Sequence, residues 1–325
     1  MNISILGAGA WGTALSKILI EAGHDVTLWG HSAALLADIQ SRRENLRLLP
    51  GVPLPDSLKF EPDLLRATAA DVIVASLPSK ALDAVALQLS NYSGVVVSTT
   101  KGIELDTGHT MSAVIARRMP LAKIAALSGP TIASEAAKRI PTAIVAASEH
   151  EATARLVQEI FNTPAFRVYS STDLLGVELG GALKNVFAIA AGVCDGLGFG
   201  DNTKAALITR AIAEMRRLGV KAGAHAETFA GLSGLGDLTV TCFSKQSRNR
   251  TFGERLGRGG KQAEILEEMV SVVEGFPTAR SARQLASKLG VVTPIIDEVH
   301  AMLYEGKHPK EGLRDLMARE LKAED

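Results

Sequence analysis

The chain has 325 residues, 46% of them apolar, and its 35 basic side chains are balanced by 35 acidic ones. Zero formal charge excludes a global field that would draw nucleic acid or an anionic membrane, so any recognition of phosphate has to be local. The length suits two domains with separate cores.

The first half alternates β-branched runs with helical patterns. "ISIL", "DVTLWG", "DVIVASL", "GVVVSTT", "IAALSG" and "TAIVAAS" read as strands. Residues 12–22, 80–88 and 110–118 read as helices between some of them, and residues 48–63, with four prolines, as an irregular excursion holding one extended piece. This alternation predicts a parallel sheet covered by helices on both faces. From Asp173, a plausible N-cap, helical patterns dominate: 174–195, 202–218, 224–230, 263–270, 278–289, 294–304 and 311–320. The expected architecture is an α/β domain over residues 1–172 followed by an all-α domain over 173–325.

The chain opens on "NISILGAGAWG" with no basic leader, and the apolar run around residue 184 is shorter than the roughly 20 residues that span a bilayer. A cytoplasmic protein is expected. Cys194 and Cys242 lack CxxC spacing and read as free core thiols, and no clustered His/Cys/Asp spacing suggests a metal.

The strongest local signal is Gly7-x-Gly9-x-x-Gly12, set between a strand and a helix at the start of a βαβ unit. The first glycine permits the tight turn, the second lets a pyrophosphate approach the backbone, and the third packs helix on strand. Free N–H groups at the helix start then face the phosphates. This is a Rossmann-type dinucleotide site. The end of the second strand reads Gly30-His31-Ser32, with no carboxylate for a ribose 2′-hydroxyl. Either His31, Arg42 or Arg43 meets the 2′-phosphate of NADP(H), or His31 is a surface residue and NAD(H) is used. Two further strand ends, "ASLPSKAL" (75–82) and "STTKGIE" (98–104), fit the same edge, where Lys101 reaches a phosphate or carbonyl or is simply solvated.

Within "ELGGALKNVFAIAAG" (178–192), Lys184 has Gly180, Gly181, Ala188 and Ala191 at helical neighbour positions. Adjacent helix-interior glycines cost about 1 kcal/mol each against alanine, so they imply close approach of a backbone or a ligand. Lys184 either snorkels to water or serves as a reagent. Downstream, "GLSGLGDLTVTCFSKQSRNRTFG" (231–253) reads as a second glycine-rich loop leading to Ser247-Arg248-Asn249-Arg250, a set suited to binding phosphate or carboxylate.

GAGAWGTAL, TKG (100–102), SGPT (128–131), LGGALKNV (179–186), GLGDL (234–238), QSRNR (246–250) and VVEG (272–275) occur in the order found in bacterial NAD(P)-dependent glycerol-3-phosphate dehydrogenases, and the chain resembles that family along essentially its whole length. The resemblance implies reversible hydride transfer between sn-glycerol 3-phosphate and dihydroxyacetone phosphate, supplying glycerol phosphate for phospholipids, by a homodimer. It makes Lys184 the proton acceptor in oxidation. It lines the substrate site with Lys101, Gly129, Thr131, Asp237, Ser247, Arg248 and Asn249. Trp11, His31, Lys101, Ala133, Arg248, Val272 and Glu274 become cofactor contacts beside Gly7, Gly9 and Gly12. The glycines near Lys184 then read as clearance for substrate and nicotinamide.

The chemistry agrees. Hydride reduction of a ketone leaves an alkoxide that an ammonium can protonate, and in reverse a neutral amine takes the hydroxyl proton. A lysine of ordinary pKa, about 10.4, is too basic for that reverse role. Desolvation and Lys101 would lower it, and Asp237 would oppose them. Ala10, where serine is frequent, and Ser76-Leu77 before Pro78 depart from common family spellings and touch only fine cofactor contacts. Two alternatives remain: a related dehydrogenase acting on a β-hydroxy acid, with Arg248 on a carboxylate, and a dinucleotide sensor without turnover.

Overall fold

The structure is a computed structural model that describes every residue except 270, 271, 322, 324 and 325. The chain forms two compact units, Met1–Glu104 with His109–Glu178, and Leu105–Gly108 with Leu179–Asp325.

The first unit begins with β1 (Asn2–Leu6), α1 (Ala10–Glu21), β2 (Asp25–Trp29) and α2 (Ala33–Arg42). The proline-rich excursion contains a small antiparallel hairpin, β3 (Glu44–Asn45) with β4 (Leu49–Pro53), and a short β5 (Lys59–Phe60) that joins the main sheet beside β2. Next come α3 (Leu64–Ala67), β6 (Val72–Ala75), α4 (Ser79–Leu87), β7 (Val95–Ser98), α5 (Met111–Arg118) and β8 (Lys123–Ser128). The unit continues through α6 (Ala133–Ala137), β9 (Thr142–Ala147), α7 (Glu151–Phe161) and β10 (Phe166–Ser171) into the start of α8 (Leu174–Gly196).

The sheet order is β10-β9-β8-β7-β6-β1-β2-β5. Strand residues alternate between two cores. Val72, Val74, Val95 and Val97 face one, while Ile73, Ala75 and Val96 face the other. Burial of both faces explains why these strands read as continuous apolar runs.

The strands from β5 to β8 are parallel, but β9 runs antiparallel to β8 and carries β10 with it. A parallel return needs a crossover back to the other end of the sheet. The α6 helix, about 7 Å long at 1.5 Å per residue, does not make one. The chain therefore turns back at the same end.

Asp173 starts α8 as an N-cap, its Oδ1 accepting the Gly176 N–H at 3.0 Å. By length and hydropathy α8 could cross a membrane, but 94% of its apolar window is buried in protein, as in a core helix. The second unit adds α9 (Asp201–Ala222), a 3₁₀ turn (Ala226–Ala230), a π-helical turn (Leu232–Gly236), α10 (Asp237–Phe243), α11 (Arg248–Gly257), α12 (Gln262–Glu268), α13 (Gly275–Leu289), α14 (Pro294–Tyr304) and α15 (Pro309–Met317). The helix expected over 263–270 thus ends at Glu268, and its last position lies outside the described residues.

Within this unit the α9 residue Glu214 caps α14, accepting the Ile295 and Ile296 N–H groups at 3.0 and 2.9 Å. Burial outweighs these bonds and pushes its carboxyl up to about 7 from an ordinary 4.5. Between those values the folded state holds a proton that the unfolded chain has lost. This carboxyl therefore makes stability fall as pH rises from 4.5 to about 7, by up to about 3 kcal/mol. Glu214→Gln is expected to flatten that slope in urea titrations. Equal slopes in the two proteins would remove Glu214 as its source.

Candidate active site

In the first unit the residues singled out from the sequence gather at the carboxyl ends of parallel strands. Gly7 follows β1 with φ +124°, and a Cβ there would lie 2.2 Å from the Ser76 carbonyl oxygen after β6. Only glycine fits both constraints. A Cβ on Gly12 would meet the Gly7 carbonyl oxygen at 2.0 Å, so the first turn of α1 sits directly on the loop. On Gly9, by contrast, it would meet no atom within 4 Å, and no side chain caps α1. An open backbone surface next to uncapped N–H groups fits a dinucleotide pyrophosphate.

His31 is exposed just past β2. Arg42 and Arg43 both hold partners within the first unit. Arg42 bonds Asp38 at 2.7 Å, and Arg43 donates to the Leu58 carbonyl at 3.0 Å and to that of Asp56 while lying over the Phe60 ring.

Lys101 follows a buried hydroxyl pair. Thr99 donates to the Ala75 carbonyl from both its N–H (2.8 Å) and its Oγ1 (3.1 Å), and Thr100 Oγ1 donates to the Leu77 carbonyl at 2.9 Å. The loops after β6 and β7 are thereby laced together, which fixes where Lys101 leaves the backbone. Gly129 and Thr131 follow β8, Thr131 Oγ1 donating to the Gly129 carbonyl at 3.1 Å, and Ala133 opens α6. Trp11, in the first turn of α1, packs against a small cluster of Ala14, Leu49, Val52 and Ala137.

In the second unit Lys184 is ion-paired with Asp237, whose side chain is 0% exposed. The pair is desolvated, so each charge depends on the other. Asp237 is placed by the π-helical turn, whose i→i−5 bond runs from Gly236 N to the Gly231 carbonyl at 3.1 Å. Gly180 seats that turn on α8, because a Cβ there would come 2.5 Å from the Ser233 carbonyl oxygen. Gly180 is therefore clearance for a neighbouring backbone, which corrects its reading as room for substrate.

The segment 231–253, expected as a glycine-rich loop leading to an arginine cluster, forms the π-helical turn, α10 and the start of α11. Ser247 is its N-cap, accepting the Arg250 N–H at 3.2 Å, and Arg248 is its first residue. The Arg248 side chain is exposed, yet surrounding protein lowers its pKa, with Glu274 opposing. Its guanidinium is open to an incoming anion.

Asn249 is buried and used at both ends, its Nδ2 donating to Asn185 Oδ1 and its Oδ1 accepting the Gly275 N–H, each at 2.9 Å. This bridge ties α8 beside Lys184 to α11 and to the start of α13, next to Glu274. Val272 is exposed on the approach to α13. Asn185 has no role assigned from the sequence, although it stands next to Lys184. Arg250 points away from this group, paired with Asp195 at 2.6 Å, which also holds Lys204 at 2.5 Å. Both cysteines are buried, and burial pushes their thiols up to about 11 for Cys194 and about 12 for Cys242, so neither is a ready thiolate nucleophile.

A Rossmann-type sheet with an open glycine loop, joined to a helical unit that buries a lysine–carboxylate pair near an exposed arginine, defines a nicotinamide-dinucleotide oxidoreductase. Residues 2–154 match the NAD-dependent glycerol-3-phosphate dehydrogenase N-terminus and residues 173–314 the corresponding C-terminus. The chain belongs to the NAD(P)-dependent glycerol-3-phosphate dehydrogenase family. Among its relatives is the glycerol-3-phosphate dehydrogenase [NAD(P)+] of Geobacter sulfurreducens, 50% identical over 99% of this chain and 98% of that one. The enzyme of the same name from Geobacter sp. strain M21 is 49% identical over the same shares. The crystal structure of glycerol-3-phosphate dehydrogenase from Coxiella burnetii superposes with a TM-score of 0.94 at 36% identity, covering 98% of this chain and 99% of that one.

Proposed function

We propose that this chain interconverts sn-glycerol 3-phosphate and dihydroxyacetone phosphate with NAD(H) or NADP(H), and that in reduction it supplies glycerol 3-phosphate for phospholipid synthesis. The observation that carries the reading is the buried Lys184–Asp237 pair on a helix bridged by Asn185 and Asn249 to the exposed Arg248. Gly7, Gly9, Gly12, Trp11, His31 and Ala133 hold the dinucleotide, and the family resemblance adds Val272 and Glu274 as cofactor contacts. When bound, it gives or takes the hydride at the substrate carbon.

Lys184 does the proton work. In reduction an N–H bond of the ammonium breaks and an O–H bond forms on the alkoxide, leaving a neutral amine; oxidation reverses this. Asp237 compensates the ammonium and fixes its direction. Arg248 anchors the substrate phosphate, helped by the Ser247 hydroxyl and by Asn249, while Lys101, Gly129 and Thr131 line the substrate site. Binding energy gained at the phosphate orients the carbon that reacts.

The same reading makes the enzyme a cytoplasmic homodimer. Two buried free thiols suit a reducing compartment, and the mass in solution, once or twice 34.2 kDa, decides the assembly.

The test is side-by-side oxidation of NADH and NADPH with dihydroxyacetone phosphate, for wild type and Arg248→Ala. The wild type is expected to turn over. The variant is expected to raise KM for the phosphorylated ketone by roughly 10- to 100-fold, the size of a charge-assisted phosphate contact. Activity on a β-hydroxy acid with none on dihydroxyacetone phosphate would sink the reading. An unchanged KM would remove Arg248 from the phosphate site.

A further inference from the structure

The β3–β4 hairpin carries a buried asparagine whose amide makes three hydrogen bonds, one to the glycine loop and one to the first turn of α1. Asn45 is 1% exposed. Its Nδ2 donates to the Ala8 carbonyl at 3.1 Å and to Thr13 Oγ1 at 2.9 Å, while its Oδ1 accepts the Leu48 N–H at 3.2 Å. The amide can face only one way, because a flip would set its oxygen against the Ala8 carbonyl oxygen. Leu49 and Val52 of the same hairpin pack against Ala14 of α1 and Ala137, with Trp11 and Ala133 at the edge of that cluster. The hairpin is thus pinned to the loop by hydrogen bonds and by apolar contact.

A trans peptide is planar, and its C=O and N–H point in opposite directions. The Ala8 carbonyl and the Gly9 N–H belong to one such plane. Asn45 draws the carbonyl inward, so the Gly9 N–H points the opposite way, and among the described residues that N–H has no acceptor.

We propose that Asn45 is a positioning residue for the dinucleotide: by holding the Ala8–Gly9 peptide it aims the Gly9 N–H at a cofactor phosphate. Asn45 acts through the loop and touches neither substrate nor the reacting atoms. The assignment rests on the glycine loop being the dinucleotide site, as proposed above.

The experiment compares wild type with Asn45→Ala, Asn45→Asp and Thr13→Val, reading NADH and NADPH Kd by fluorescence, both KM values, and Tm. Asn45→Ala is expected to raise dinucleotide Kd and KM about tenfold, the worth of one aligned hydrogen bond to a charged group, with KM for dihydroxyacetone phosphate nearly unchanged. Asn45→Asp keeps the acceptor for Leu48 but sets a carboxylate against the Ala8 carbonyl, so its dinucleotide affinity should fall at least as far. Thr13→Val leaves the Ala8 bond in place, so it should lower Tm by removing a buried acceptor but change dinucleotide Kd little.

A purely architectural asparagine would lower Tm and leave dinucleotide affinity at wild-type level below the transition; that result overturns the proposal. If both Asn45 variants fail to fold, amide exchange in the wild type decides, since Gly9 N–H protection on adding NADH supports the assignment and its lack refutes it. A wild type that binds neither dinucleotide would defeat the underlying reading instead.

Discussion

Lys184→Met is expected to reduce kcat by at least about a thousandfold, in line with removal of a positioned acid–base group, while NADH binds within a few-fold of wild type. The dinucleotide residues proposed on the first unit lie on strand ends far in sequence from α8, and the loops there are held by the Thr99 and Thr100 hydroxyls and by close glycine packing. Asp237 complicates the variant. Removing Lys184 takes the ammonium from a fully buried carboxylate, and breaking such a pair costs about 3–5 kcal/mol. A fall in Tm is therefore expected alongside the loss of turnover, and the binding measurement shows that the fold persists. Lys184→Arg separates the two effects. It retains the cation opposite Asp237, but a guanidinium does not release its proton at working pH, so turnover should still collapse while Tm recovers part of its loss. Wild-type kcat in either variant would end the assignment of Lys184 as the proton donor and acceptor.

Much of the first unit was legible in the sequence because its physics is local. Strands buried on both faces read as unbroken apolar runs, and the glycine loop combines a turn, an open approach and a tight helix contact within a few residues. The reversal of β9 was not legible. It depends on how far α6 carries the chain, and a short helix and a long crossover share the same local pattern. β10 carries only a weak strand signal because its sequence, FRVYSS, is polar at alternate positions, as suits an edge strand with one exposed face.

In the second unit, residues 231–253 read as a glycine-rich loop leading into an arginine cluster. Their helices are held by Ser247 capping, by the Asn185–Asn249–Gly275 bridge and by the Arg250–Asp195 pair, each joining residues far apart in the chain. Arg248 and Arg250 illustrate the limit. They are two residues apart and identical in type, yet one is open to solvent and the other is buried against Asp195. Only the crossing of α8 and α11 distinguishes them.

That crossing sets up the second large effect. Gly192 of α8 and Gly253 of α11 let the helices touch backbone to backbone. A Cβ on Gly253 would lie 2.0 Å from the Ile189 carbonyl oxygen, and one on Gly192 2.0 Å from that of Arg250. No side-chain rotation relieves a clash with backbone, so Gly253→Ala must push the helices apart, at a cost of about 3 kcal/mol. The start of α11 carries Ser247, Arg248 and Asn249, and α8 carries Lys184, so separation should also stretch the Asn185–Asn249 bond and raise KM for dihydroxyacetone phosphate. Gly9→Ala is the counterpart. Gly9 has φ −75°, which alanine adopts freely, and its Cβ would meet nothing within 4 Å, so the protein should fold with wild-type Tm. The added methyl instead occupies the proposed pyrophosphate approach and should weaken NADH binding by roughly tenfold or more, since a cofactor pressed against Cα has no room for it. One glycine thus serves the packing of helices and the other the approach of a ligand. The pair of measurements, Tm and NADH Kd, should move in opposite columns for the two variants. A wild-type Tm for Gly253→Ala would mean that the helices can part at no cost. Wild-type NADH affinity for Gly9→Ala would place the pyrophosphate elsewhere.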